Sequence, residues 1–142
     1  MVNLTGLKEG TILDPFCGCG GILIEAGLAG FCLMGFDFKE KMLANAKKNL
    51  EHFGLEAKLK KKDSTRPFKE RYDAIVTELP FGKGSSLSRP LPDMVRSFLE
   101  NTDNKTPRVI SIPDMAELKN IEAKKEFKIF LHRSLRKRIL LL

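Results

Sequence analysis

The sequence has little of what marks a secreted or metal-binding protein. Its 142 residues include three cysteines, two histidines, one tyrosine and no tryptophan. Three cysteines cannot build a disulfide framework, and the Cys-x-Cys pair of Cys17 and Cys19 does not have the spacing of a structural zinc site. We therefore expect free thiols in a reducing compartment, no bound metal and a cytoplasmic location.

Long apolar runs are also absent. No segment approaches the roughly 20 apolar residues that a membrane-spanning helix needs, and the first ten residues do not follow the pattern of a signal peptide. We therefore expect no contact with a membrane. The hydrophobic content of 42% suits one globular domain over residues 1–142. The formal net charge of +7 favours a polyanionic partner, most often a nucleic acid.

Short apolar runs alternate with segments of helical periodicity. Strands are predicted in TILD, FCLMGFDF, AKLKKKDS, YDAIVTEL and RVISIPD, with one or two more, or a hairpin, in EFKIFLHRSLRKRILLL. Helices are predicted in GGILIEAGLAG, KEKMLANAKKNLEHFG and LPDMVRSFLENT, the second burying Met42, Leu43, Ala46, Leu50 and Phe53 and the third Met94, Val95, Phe98 and Leu99. The alternation predicts an α/β fold: a mostly parallel twisted sheet with helices on both faces and an antiparallel strand at the C-terminus. AKLKKKDS has little apolar content and is predicted near a sheet edge.

Four of the apolar runs end in an acidic residue. In open α/β sheets the ligand binds outside the carboxyl ends of the strands. Asp and Glu are also common at helix N-caps and turns, which explains each residue singly but all of them together less readily. The residues predicted to share one crevice are Asp14, Asp37, Asp63 and Glu78.

The loop DPFCGCGG follows the first predicted strand and opens the first helix. Gly18 and Gly20 allow a sharp turn and a close approach of the backbone to a ligand. Leu23 stands where a dinucleotide fingerprint has its third glycine, and the Gly-Lys-Ser/Thr of a P-loop is missing. A nicotinamide-dependent dehydrogenase is therefore disfavoured, and a nucleoside-type ligand without a pyrophosphate remains.

The acidic residues fit the other parts of such a ligand. Asp37 follows Asp14 at the spacing, roughly 20 residues, at which an acidic residue accepts both hydroxyls of a ribose. Asp63 is a candidate acceptor for an exocyclic adenine amine, and Asp14 a candidate partner for an ammonium group. An adenosine that carries an amino-acid tail, such as S-adenosylmethionine, satisfies all three.

Two motifs resemble those of a known family. DPFCGCGGILIEAG is similar to the first motif of class I S-adenosylmethionine-dependent methyltransferases, and ELPFG resembles the Asp/Asn-Pro-Pro-Tyr/Phe motif of those that methylate exocyclic amines. With VNLTGLKEG, MLANAKKNLEHFG and HRSLRKRILLL, they make the chain resemble the catalytic domain of archaeal and eukaryotic tRNA guanine-N2 methyltransferases of the THUMP-domain group. The resemblance implies a Rossmann-like class I methyltransferase domain, S-adenosylmethionine as cofactor, and tRNA or another RNA as substrate.

The crevice and the resemblance together give the predicted site. In the acceptor part, Glu78 and the carbonyl of Leu79 would accept the two N–H groups of a guanine amine and aim its lone pair at the methyl group. Pro80 would stiffen these acceptors, and Phe81 would stack on the base. The cofactor is predicted to contact Asp14, Phe16, Cys17, Gly18, Gly20, Asp37, Phe38, Asp63 and Ser64.

Three features depart from the family. Glu78 stands where Asp is usual, and Cys19 where a hydroxyl residue is common. The length also leaves no room for the THUMP half, so we expect part of a longer protein, or a domain that takes its RNA recognition from a separate THUMP-type domain or partner. Basic residues that would contact phosphates, unless they form a solvated face, are Lys58, Lys60, Lys61, Lys62, Arg133, Arg136, Lys137 and Arg138.

Two alternatives stay open at this point. Methylation of adenine N6 in DNA or RNA, or of a protein glutamine, uses the same short acceptor motif. A catalytically silent domain that binds RNA or a partner is favoured by Glu78 and the missing half, and is opposed by the intact glycine loop and Asp37.

Overall fold

The computed structural model of the chain describes residues 1–79, 90–114, 121–132 and 135–142. A short 3-10 helix, Val2–Thr5, precedes the sheet. The three helices of the described residues are α1 (Gly21–Leu28), α2 (Glu40–His52) and α3 (Leu91–Glu100). Their strands are β1 (Thr11–Asp14), β2 (Cys32–Asp37), β3 (Lys58–Lys61), β4 (Ala74–Glu78), β5 (Arg108–Pro113), β6 (Lys125–His132) and β7 (Leu135–Leu141).

All these strands belong to one sheet, in the order β3-β2-β1-β4-β5-β7-β6. Strands β1 to β5 pair in parallel, whereas β7 is antiparallel to both β5 and β6. The predicted mostly parallel α/β fold is therefore confirmed, as are the edge position of β3 and the C-terminal hairpin. Because β1, β2 and β4 are parallel neighbours, their carboxyl ends meet at one edge of the sheet.

Successive side chains of the central strands enter two different cores. Ile12 on β1 packs with Leu23 of α1 and Leu50 of α2, on one face of the sheet. Leu13 packs with Phe98 of α3 on the other face. The alternation of side-chain direction along a strand produces this division, and the strands read as continuous apolar runs because helices cover both faces.

The predicted buried faces of the helices are correct for the central residues of α2 and wrong at its C-terminal end. Ala46 and Leu50 of α2 are buried, but Phe53 is 50% exposed. The helix ends at His52, and the chain turns at Gly54 with φ of 66°, so Phe53 leaves the buried face. Leu99 of α3 is only half-buried.

Helix α1 packs closely on β2 through an exchange of large and small residues. In a dinucleotide fold the third glycine of the loop lets the helix approach the strand. Here that helix position is Leu23, fully buried, and the small residue is Gly35 on β2. A Cβ added at Gly35 would lie 2.6 Å from Cδ1 of Leu23 and 3.0 Å from Sγ of Cys17. Gly35 therefore leaves room for the leucine.

Replacing Gly35 with alanine should lower the free energy of unfolding by about 1–3 kcal/mol, because the added Cβ would force the buried side chains of Leu23 and Cys17 to shift. Urea unfolding measures this difference. Gly21→Ala in α1 is the control, since a Cβ there meets no atom within 4 Å, and alanine should be neutral or slightly stabilising in a helix. Equal stability of Gly35→Ala and the wild type would contradict this account of the packing.

None of the helices in the described residues has the length and apolar character required to cross a bilayer.

Candidate functional site

Asp14 ends β1 and is buried, with 2% of its surface exposed. Its Oδ1 atom accepts hydrogen bonds from the hydroxyl of Thr77 at 2.7 Å and from the amide of Phe16 at 3.1 Å. Loss of solvation on burial raises the pKa of Asp14 to about 7, against the lowering effect of these two bonds. A buried carboxylate of this kind favours a cationic partner, because such a partner would offset the cost of holding the charge away from water.

Asp37, at the end of β2, is tied to the glycine loop after β1. Its Oδ2 atom accepts the amide of Gly18 at 3.1 Å, and its Oδ1 atom accepts the amide of Lys39 at 2.8 Å. An ionised carboxylate has about four acceptor positions, so both oxygens keep capacity for further donors. The loop and the carboxylate thus form one unit in which Asp37 is held by backbone.

The two glycines of the loop have different reasons to be glycine. Gly18 has φ of 51°, and a Cβ there would meet nothing within 4 Å, so its surface faces open space beside Asp37. Gly20 has φ of 88°, and a Cβ there would lie 3.3 Å from Cβ of Ala46 on α2. Gly18 is therefore the glycine that leaves space for a ligand, and Gly20 is needed for the turn and the contact with α2.

Other predicted cofactor residues support the loop. The amide of Cys17 donates to the carbonyl of Phe36 at 2.9 Å, and burial raises the pKa of the Cys17 thiol, which stays protonated. The buried hydroxyl of Ser64 donates to the carbonyl of Pro15 at 2.7 Å. The ring of Phe16 meets Phe98 edge to face, 5.2 Å between centroids. These contacts tie the loop to β2, to the segment after β3 and to α3.

Phe38 and Asp63 are more exposed than these residues. Phe38 is 49% exposed, next to the ribose-binding candidate Asp37, and the ammonium of Lys39 lies over one face of its ring, 5.3 Å from the centroid. Asp63 lies two residues beyond the end of β3 at Lys61, so the prediction that it ends the strand is wrong. Its Oδ1 atom accepts from the amide and the hydroxyl of Thr65, at 3.0 and 2.6 Å, and so stabilises a turn.

Only part of the predicted acceptor site is described. Glu78 is the last residue of β4, half exposed, and its Oε1 atom contacts Nζ of Lys137 on β7. Leu79 is fully buried, and its amide donates to the carbonyl of Ser111 at 3.0 Å. Pro80 and Phe81 lie outside the described residues.

Sequence reasoning missed Thr77 at this edge and assigned Lys137 to phosphate contact rather than to Glu78. Thr77 had a signal, because it is the one hydroxyl in the buried run Ala74–Glu78, and such a hydroxyl needs a hydrogen-bond partner. The sequence carries no signal for the pairing of Lys137 with Glu78, because the two residues are far apart along the chain.

Some of the basic residues predicted to contact phosphates pair with carboxylates of the chain instead, and others are exposed. Lys60 and Lys62 contact Glu70, and Lys61 contacts Glu40 at 3.3 Å. The prediction that Arg138 contacts phosphates is wrong, because it is 6% exposed and forms ion pairs of 3.6 Å with Asp114 and Glu126. Lys58 and Arg136 are exposed, and Arg133 lies outside the described residues. In the described ranges, no group of three His, Cys, Asp or Glu side chains is arranged to hold a metal ion.

The bond from Thr77 makes a testable contribution. Thr77→Val removes the hydroxyl from a buried carboxylate, so we expect a loss of about 1–3 kcal/mol in the free energy of unfolding at pH 8. Thr77→Ser keeps the hydroxyl and should lose less. Urea unfolding of the two variants checks this, and a loss in Thr77→Val no larger than that in Thr77→Ser would contradict it.

Comparison with known proteins identifies the family. Residues 1–33 and 29–135 match the family described as UPF0020: RMKL-like, methyltransferase domain. The chain belongs to this methyltransferase family. The match covers β1, the glycine loop and the strand that ends in Glu78, which are the parts of the candidate site.

Two relatives of this methyltransferase domain are much longer than the chain. A tRNA (guanine(10)-N2)-dimethyltransferase of Methanothermobacter thermautotrophicus is 42% identical over 105 residues, which are 71% of this chain and 31% of that protein. The protein of that name in Methanocaldococcus jannaschii is 35% identical, over 95% of this chain and 41% of its own length. The domain thus spans about a third to two fifths of these relatives.

A solved structure supports the same fold. The putative methyltransferase SMU.472, complexed with SAH, superposes on the domain with a TM-score of 0.78 at 19% identity, covering 99% of this chain and 50% of that chain. At that identity the similarity shows the fold alone.

Proposed function

We propose that this domain transfers the methyl group of S-adenosylmethionine to the exocyclic N2 amine of guanine in an RNA, with tRNA as the first candidate. The observation that carries the proposal is the hydrogen bond from Thr77 to Asp14. It joins the candidate cofactor carboxylate on β1 to the strand whose next residue is Glu78, the candidate acceptor residue. The names of the relatives, which are guanine-N2 methyltransferases of tRNA, support the choice of base and of RNA.

The residues present fit the cofactor. Gly18 faces open space, as close approach of a nucleoside to the backbone requires. Asp37 retains acceptor capacity for the ribose hydroxyls, and the half-exposed ring of Phe38, with Lys39 over one face, would offer its other face to the adenine. The buried Asp14 would pair with the ammonium of the amino-acid tail, and we keep Asp63 as the candidate acceptor for the adenine amine.

Bound S-adenosylmethionine supplies an electrophilic methyl group on a sulfonium. Asp14 and Asp37 would hold its ammonium group and its ribose, and so orient its methyl group toward the acceptor. Glu78 and the Leu79 carbonyl would accept the N–H groups of the guanine amine and turn its lone pair to the methyl group. Transfer of this methyl group, with the bonding electron pair left on the sulfur, would place a positive charge and a surplus proton on the acceptor nitrogen. Glu78 stabilises the positive charge on nitrogen, and the surplus proton leaves through it to water.

This domain contributes less to RNA recognition than to cofactor binding and methyl transfer. Lys60, Lys61 and Lys62 pair with carboxylates of the chain itself, and the two tRNA methyltransferases reported above are longer than the chain. We propose that a THUMP-type RNA-binding domain, in the same protein or a separate one, brings the RNA to Glu78, and that the reaction takes place in the cytoplasm.

The direct test is incubation of the protein with labelled S-adenosylmethionine and unmodified tRNA, with and without an added THUMP domain, followed by nucleoside analysis. Label in N2-methylguanosine supports the proposal. Label only in methyladenosine, or in glutamine of an added protein substrate, moves the activity to the alternative acceptors. Calorimetry with S-adenosylmethionine separates a silent domain from an inactive assay, because a silent scaffold need not bind the cofactor.

A further inference from the structure

We infer that Lys137 is a positioning residue for Glu78: its ammonium group holds the Glu78 carboxylate in the orientation in which it receives the acceptor amine. The inference rests on the proposed function of Glu78 and names the residue on which that function depends. Lys137 does not touch the substrate in this account, so its effect on turnover acts through Glu78.

Strand topology brings the two residues together. Because β7 is antiparallel, its first residues lie at the edge where β4 and β5 end. Lys137 is in register with Pro113 of β5, and Glu78 of β4 is in register with Ser111 of the same strand. The lysine side chain therefore reaches across the end of β5 to contact Oε1 of Glu78.

The burial of the two side chains indicates which one holds the other. The Lys137 side chain is 20% exposed, and that of Glu78 is 43% exposed. The lysine is the more enclosed member, so the sheet fixes it, and the glutamate projects from β4 toward the crevice. Because the contact is made to Oε1, the Oε2 oxygen can accept an N–H group of the substrate.

The pair also accounts for the length of the residue at this position. The resemblance leads us to expect Asp, and Glu has one more methylene and one more rotatable bond. A free glutamate would sample several rotamers, whereas a charge-assisted hydrogen bond to an enclosed lysine selects one of them. Displacement of the acceptor by about 1 Å can reduce turnover about 100-fold, so this selection has a measurable consequence.

The next residue, Arg138, also binds carboxylates of this chain. Arg138 is buried and pairs with Asp114 and Glu126 rather than facing an RNA. The basic stretch at the start of β7 thus binds carboxylates of this chain at two successive positions. Arg136, which is exposed, remains the phosphate-contact candidate of this stretch.

The test compares Lys137→Met, which keeps the length without the charge, with Lys137→Arg, which keeps the charge. We expect Lys137→Met to lower kcat at least tenfold, with the KM for RNA and the affinity for S-adenosylmethionine unchanged, and Lys137→Arg to restore most of kcat. Lys128→Met is the control, because Lys128 is an exposed lysine on β6, at the outer edge of the sheet. A raised KM for RNA with a weaker salt dependence and unchanged kcat would overturn the inference and make Lys137 a phosphate contact.

A double-mutant cycle with Glu78→Asp distinguishes action through Glu78 from a structural effect. Because the aspartate side chain is one methylene shorter, we expect it to lose the contact with Lys137, so adding Lys137→Met to Glu78→Asp should cost little further turnover. Additive losses would overturn the inference.

A measurement without turnover keeps the two proposals separate. Scalar couplings in NMR report the rotamers of Glu78, which should be fixed in the wild type and averaged in Lys137→Met. If the wild type methylates guanine and both readouts are unchanged in Lys137→Met, only the inference fails. If the wild type methylates no RNA, the proposed function fails, and a Glu78 rotamer that stays fixed in Lys137→Met overturns the inference independently.

Discussion

Replacing Asp14 with asparagine should abolish detectable binding of S-adenosylmethionine and, at pH 8, should stabilise the protein in the absence of cofactor. Both effects follow from the burial of the carboxylate, which raises the pKa of Asp14 from 3.8 to about 7. At pH 8 the folded protein holds a buried negative charge that the hydrogen bonds from Thr77 and Phe16 offset only in part and that a bound ammonium would compensate further. Asparagine removes that charge and keeps an oxygen for the donors Thr77 and Phe16.

The sign of the pH dependence follows from proton binding. Between pH 4 and 7 the folded protein keeps a proton on Asp14 that the unfolded chain has already lost. Unfolding releases this proton, so the stability of the wild type falls as the pH rises through this range and levels off above pH 7. A shift of this size corresponds to roughly 4 kcal/mol, from which the burial of an asparagine amide subtracts about 1–3 kcal/mol.

Asp14→Asn should therefore be more stable than the wild type by about 1–3 kcal/mol at pH 8 and should have no advantage at pH 4. Urea unfolding across this pH range measures the gap. Asp103→Asn, at an exposed residue in the turn before β5, should show no such gap. An Asp14→Asn protein that is less stable than the wild type at pH 8 would contradict the burial argument.

Cofactor binding should show the opposite pH dependence in the wild type. The ammonium pairs with an ionised Asp14, so the affinity for S-adenosylmethionine should fall about tenfold for each pH unit below 7. Calorimetry in buffers of different ionisation enthalpy should detect the proton released on binding near pH 6. Binding that is independent of pH between 5 and 8 would exclude Asp14 as the partner of the ammonium.

Replacing Glu78 with glutamine should lower kcat about 100-fold while leaving the affinity for S-adenosylmethionine unchanged. Glutamine keeps the length of the side chain but loses the charge that stabilises the developing cation and the pairing with Lys137, and losses of this order follow the removal or misplacement of one such group. The unchanged affinity follows because Glu78 meets the acceptor and not the cofactor.

Single-turnover kinetics on RNA, together with calorimetry of cofactor binding, separate these two effects. Glu56→Gln serves as the matched control, because Glu56 is exposed between α2 and β3. A Glu78→Gln variant that turns over at the wild-type rate would remove Glu78 from the acceptor site. Weak cofactor binding by Glu78→Gln would mean that Glu78 lies in the cofactor half of the crevice and not in the acceptor half.

The wrong predictions for Phe53 and Arg138 show what the local sequence pattern cannot predict. Phe53 continues the helical spacing of α2 but is exposed, because the helix ends one residue before it. Arg138 reads as part of a basic cluster but is buried, because Asp114 and Glu126 of neighbouring strands compensate its charge. In both cases the local sequence shows whether the residue is apolar or charged, but it does not show the tertiary contact that decides whether the side chain is buried.

The sequence by itself determined the alternation of strands and helices, the edge position of the lysine-rich β3, the glycine loop and the acidic residues at the strand ends. These features are local, because periodicity and turn residues act over a few positions. Only the tertiary structure decided that Thr77 donates to Asp14, that Gly35 makes room for Leu23 and that Lys137 reaches Glu78. Each of these contacts joins residues from different elements, and it exists only when strand order, direction and register are all set.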